Sequence, residues 1–178
     1  APDITLSTSS VAADTIYQGT NTNIVSITKM KVTTANVNVT NIQYTLSGNH
    51  DADDLTYTSV YYNTTPDLTG ASYLGQVTAP YAAPHLYSIN IYKPMPAGTT
   101  GYFIVTVNVN TSATDNHTVK VSAATNPVVF SYNIAPNVTN NQTNGGGTQT
   151  IQAPDIALST SSVAADTIYQ GTNTNIRS

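Results

Sequence analysis

The chain has 178 residues, a net charge of −4 at pH 7, only 8% charged residues, and no cysteine, tryptophan or glutamate. Nine Asp against five Lys and Arg leave no basic face for a phosphate backbone, which argues against nucleic acid as a partner. No run approaches the roughly 18 apolar residues of a membrane helix, the opening Ala1-Pro2-Asp3 lacks the charged and apolar regions of a signal peptide, and without cysteine there is no disulfide framework.

Thr, Asn, Ser, Val and Tyr set the character of the chain, and these β-branched, aromatic and short polar residues suit pleated strands and tight turns. The first strand-like run is DITLSTS, followed by TNIVSITKMKV. In NVNVTNIQYTLSG the apolar phase runs through Val37 and Val39 and then shifts to Ile42, Tyr44 and Leu46, which predicts a β-bulge near Thr40 and Asn41. DLTYTSVYY and HLYSINIY read as further strands. Phe103, Val105, Val107 and Val109 fall on one face of the next strand, and Tyr102 and Ile104 add apolar weight to the other, so this strand should be central. Val119 and Val121 alternate with Lys120, and Val128, Phe130, Tyr132 and Ile134 alternate with Val129, Ser131 and Asn133. Turn signals separate these runs: Gly48-Asn49, Pro66-Asp67, Thr69-Gly70, Gly98 after Pro94 and Pro96, and Asp115-Asn116. No window carries a capped helical period. Roughly eight to ten short antiparallel strands predict an all-β, immunoglobulin-like β-sandwich.

The last 26 residues repeat the first 26 at 24 positions, differing only at Thr5 against Ala157 and Val25 against Arg177. The offset of 152 residues is the size of one ordinary domain, so the parent is modular. Residues 1–136 are expected to form the sandwich module. Residues 137–152, polar and containing Gly145-Gly146-Gly147, are expected to be a linker, and residues 153–178 the start of the next repeat.

The order of segments resembles a repeat module of large secreted and cell-surface proteins of Bacteroidota. The resemblance covers about residues 5–134 and rests on VAADTIYQGTNTN, IVSITKMKVTTANVNVTNIQYTLSG, DADDLTYTSVYYNTTPDL, YLGQVT and PAGTTGYFIVTVNVNTSATDNHTVKVSA. It implies a sandwich exported by the type IX system, found in gliding or adhesion proteins or beside enzymes as a non-catalytic accessory. In that setting Asp14-Thr15-Ile16, repeated as Asp166-Thr167-Ile168, looks like an O-glycosylation acceptor, with Thr15 and Thr167 the modified residues.

The chemistry-bearing residues are few. Asp51, Asp53 and Asp54 in GNHDADDLT could converge on Ca²⁺, with Asp115-Asn116-His117 adding ligands from another loop, although Asp and Asn are also routine turn residues. The string lacks the glycine and distal glutamate of a full calcium loop, and no other cofactor is implied. His50, His85 and His117 lack zinc spacing, no nucleophile elbow is present, and a glycosidase pair would have to be two Asp, so no catalytic residue is assigned. The many Tyr serve the core and its rim, or stack on sugars.

The expected function is a non-catalytic structural repeat module of an extracellular filament or long surface adhesin. The alternative is a carbohydrate-binding accessory module of a secreted enzyme, with a glycan as partner. If residues 1–26 supply edge strands to the body, residues 153–178 fit the same slot on a neighbouring copy. Ile4, Leu6, Ile156, Leu158, Val163 and Ile168 are then the apolar residues that dock in a head-to-tail strand exchange.

Overall fold

The structure, a computed structural model, describes residues 1–122 and 125–156. Twelve strands form over these residues: β1 (Asp3–Ser9), β2 (Asp14–Tyr17), β3 (Asn23–Val32), β4 (Val37–Gly48), β5 (Leu55–Asn63), β6 (Ser72–Thr78), β7 (His85–Met95), β8 (Thr100–Val109), β9 (Thr118–Val121), β10 (Val128–Tyr132), β11 (Asn137–Asn141) and β12 (Gln149–Gln152). A single turn of 3₁₀ helix at Ala52–Asp54 joins β4 to β5. One sheet runs β11-β1-β3-β8-β5-β6 and the other β10-β4-β9-β12-β2, with β7 paired to β4 on its free side. The fold is therefore the all-β sandwich that the alternation predicts, but with twelve strands among the described residues rather than eight to ten, and with two parallel pairings, β1–β11 and β2–β12, where only antiparallel ones were expected.

The core between the sheets follows the period of two. Val37, Val39, Ile42, Tyr44 and Leu46 of β4 face Met30, Val32, Phe103, Val105 and Val107 of β3 and β8, all buried. Burying each such side chain contributes about 1.5–3 kcal/mol. Strand β8 lies between β3 and β5 and is buried on both faces from Phe103 to Val109, so the expected central strand is found. The pairing of β4 with β7 slips between Val39 and Asn41, and β10 pairs Ser131 with Asn41 and then Tyr132 with Val39. Thr40 is skipped on both sides, which is the bulge read from the phase change.

The opening segment is not simply an edge. Strand β1 lies inside its sheet, antiparallel to β3 and parallel to β11, while Val25 belongs to β3 and is fully buried. Only β2 borders open space, parallel to β12.

The expected linker at residues 137–152 is overturned. It supplies β11 to the first sheet and β12 to the second, where Gln149 and Ile151 are buried. A side chain on Gly145 would collide with the Val121 carbonyl, on Gly146 with the Val25 carbonyl, and on Gly147 with the backbone of Ala13. The three glycines are thus a close crossing of backbones. Gly146 also sits at φ +131, where other residues are strained. Residues 3–17 and 137–152 run side by side in the same direction, each crossing from one sheet to the other. Hydrogen bonds from Gly147 N to Val11 O (2.8 Å) and from Asp14 N to Thr148 O (3.3 Å) tie the two crossings together.

These directions fix two poles. Strand β1 starts beside Val32, Thr33 and the 96–99 turn at the lower pole. Strand β12 runs upward beside β2 and ends at the upper pole with the 18–22 turn and the 110–117 loop. The chain enters at one end of the sandwich and leaves at the other.

Candidate functional site: the upper pole

Four segments meet where the chain leaves the body: the 18–22 turn, the 51–54 turn, the 110–117 loop and residues 151–155. Asp54 joins two of them. Its Oδ1 accepts from Thr114 N at 2.6 Å, and its Oδ2 accepts from Asp51 N at 2.7 Å and lies 2.7 Å from His117 Nδ1. Burial would raise the Asp54 carboxyl, but the hydrogen bonds from Thr114, His117 and Asp51 outweigh it and hold the pKa below the ordinary carboxylate value. The sequence signal for this arrangement was weak, because Asp54 and His117 lie 63 residues apart.

The same loop grips the departing chain. Ile151 N donates to His117 O at 2.7 Å, Asn116 N donates to Ile151 O at 2.8 Å, and Gln18 N donates to Gln152 O at 2.9 Å. Ala153 N donates to Asp115 Oδ1 at 3.0 Å. Gln18 Nε2 adds a 2.6 Å bond to Ala113 O. Nearby, His50 is buried with no hydrogen-bond partner of good geometry at either ring nitrogen. Burial lowers its pKa, opposed in part by the Thr118 backbone and the Asp54 and Asp51 charges. Nothing in the sequence singled out His50 as buried.

Asp51, Asp54 and His117 place ligand atoms within 4.8 Å of one another, whereas Asp53 is exposed and outside this group. Calcium takes six to eight oxygens. Here one donor is a ring nitrogen, and both Asp54 oxygens already accept hydrogen bonds, so the set suits a structural His–Asp pair better than calcium.

The remaining expected sites are scattered. Thr15 is half-buried on β2. Ile4 and Leu6 are buried in their own core, whereas Ile156, the counterpart of Ile4, is 78% exposed. Thr167, Leu158, Val163 and Ile168 lie outside the described residues. Of the tyrosines, Tyr44 and Tyr87 are buried, while Tyr17, Tyr73, Tyr81 and Tyr92 are exposed. Tyr92 and Leu86 flank Ser88 and Asn90 on the outer face of β7, where Asn41 Nδ2 donates to Ser88 Oγ at 3.0 Å and to Asn90 Oδ1 at 2.9 Å. No helix among the described residues is long and apolar enough to cross a membrane.

No protein-family model matches the chain, and no curated protein is similar to it. Among solved structures, a chain of the CaDoc0917–CaCohA2 complex, a cohesin–dockerin pair, is similar at 17% identity and a TM-score of 0.37. That match covers 84% of this chain and 99% of the other.

Proposed function

We propose that the chain is a non-catalytic structural repeat module, a spacer in an extracellular filament or long surface adhesin. One observation carries the reading: the chain enters at the lower pole and leaves at the upper, and its opening sequence starts again directly after the last strand. A sandwich threaded this way lengthens a covalent array with each copy. The likeness of its motif order to repeat modules of Bacteroidota supports a cell-surface setting, with Thr15 an O-glycosylation acceptor there.

Succession along one chain fits better than strand exchange. Ile4, Leu6, Ile16 and Val25 already fill the core of their own body and leave no open slot for residues 153–178, and in either arrangement Arg177 would take the place of the fully buried Val25 in the body that those residues complete. A guanidinium there would lie unpaired in an apolar core, at a cost of several kcal/mol. The other difference, Ala157 for Thr5, falls at an exposed position and is harmless.

The carbohydrate-binding reading has one observation of its own, the amide and aromatic strip around Asn41, Asn90 and Tyr92. Proteins carrying increasing numbers of copies, viewed by electron microscopy, test the spacer reading. It requires a uniform increment in length per copy, together with no hydrolase activity and no binding to a glycan panel. Sub-millimolar binding to one polysaccharide, lost in Tyr92→Ala, would replace it with the accessory-module reading.

A further inference from the structure

The repeat offset and the strand limits together fix how closely two copies approach. Strand β12 ends at Gln152, and the counterpart of Asp3, the first residue of β1, is Asp155. Only Ala153 and Pro154 separate the last strand of one copy from the first strand of the next. Three residue steps span at most about 11 Å, even fully extended. Ala153 is also held to the upper pole through Asp115 Oδ1.

The connection has little freedom. Pro154 fixes its own φ and restricts Ala153 to extended backbone. Around it, each pole carries loops that reach past the strand ends: the 18–22 turn and 110–117 loop above, the 33–36 loop, the 96–99 turn and the 133–136 loop below. Packed layers of structure lie about 10 Å apart, so a gap of this size is filled by the two sets of loops.

Both poles present apolar surface to fill it. Tyr17 is 45% exposed on the strand beside Gln152, and Ile134 is 45% exposed in the loop leading to β11, whose Asn137 N donates to Pro2 O. We infer that the upper pole of one copy docks on the lower pole of the next, with a second copy of this chain as the occupant, so that successive modules form a stiff rod. The inference rests on the repeat reading proposed above and adds to it the surface at which copies meet. The twelve residues of β4 span about 40 Å, and each copy adds at least that length.

The test uses the full chain carrying Arg177→Val and continued through a second copy of residues 27–152, beside the same protein with a flexible Gly-Ser insert between Gln152 and Ala153. Docked poles predict that the first protein melts several degrees above a single copy, and that its small-angle scattering fits one rod about twice a single copy's length. The insert should abolish the gain and broaden the distance distribution. Ile134→Asp in both copies should lower the melting temperature of the two-copy protein while leaving the single copy unchanged. If the unfolding enthalpy doubles but the insert changes neither melting nor scattering, the interface is overturned and the repeat reading stands. If the enthalpy does not double, the appended segment is not a second copy, and both fail.

Discussion

His117 Nδ1 lies 2.7 Å from Asp54 Oδ2, and this pair helps to link the β4–β5 turn to the loop that holds the departing chain. The Asp54 side chain is buried and accepts two backbone N–H groups besides. Asp54→Ala removes the acceptor and leaves Thr114 N and Asp51 N without theirs. The expected loss is about 2–4 kcal/mol of unfolding free energy, measured by urea denaturation. A loss below about 0.5 kcal/mol would mean that the pair is ornamental to the pole.

Acid should destabilise the protein in two stages, both of the same sign. The His50 pKa is lowered in the folded state, so as pH falls through its ordinary value of 6.5 the unfolded chain takes up a proton that the folded one refuses. Stability from this group is complete above that pH and declines below it. The Asp54 pKa is also lowered, so its contribution is complete above the ordinary 3.8 and is lost as pH falls further. Melting temperatures from pH 8 to pH 3 should show both declines, and His50→Leu should flatten the first. An unchanged slope between pH 7 and pH 5 in His50→Leu would contradict the assignment.

The glycine crossing offers a test of the closed body. Gly146→Ala places a methyl group on the Val25 carbonyl at a positive φ, and Gly147→Ala places one on the Ala13 backbone. Each should cost more than the ~1 kcal/mol of an average substitution, read by thermal or urea unfolding. In a true linker both changes would be silent.

Chelation should leave melting unchanged. A ligand bound only to the native state stabilises it by mass action, and its removal must show as a fall in melting temperature. With both Asp54 oxygens already accepting hydrogen bonds, no such fall is expected with a strong chelator. A drop of several degrees, reversed by added Ca²⁺, would restore the calcium reading of Asp51 and Asp54.

The strands with an apolar face were legible because burial imposes alternation. Phe103 to Val109 and the phase shift at Thr40 follow directly from which residues must face the core. Strand β11 left no such mark: NVTNN is exposed at every position and is held by main-chain pairing to β1, which any polar residue allows. Glycines 145–147 carry two meanings in a sequence, freedom or close approach, and only their neighbours decide between them. The Asp51–Asp54 turn stands out in the sequence by its carboxylates, but its partner His117 is brought to it by strand topology rather than by spacing.

Residues 1–152 form a closed unit whose slot is filled by its own opening segment. Ending the chain at Gln152 and comparing it with the full 178 residues, by sedimentation equilibrium at high concentration and by melting temperature, tests it most directly. Two monomers with the same melting temperature are predicted, because Ile4, Leu6, Ile16 and Val25 already fill the core of their own body. A dimer or longer oligomer formed only by the 178-residue chain, with a raised melting temperature, would show instead that the second segment enters a neighbour's body.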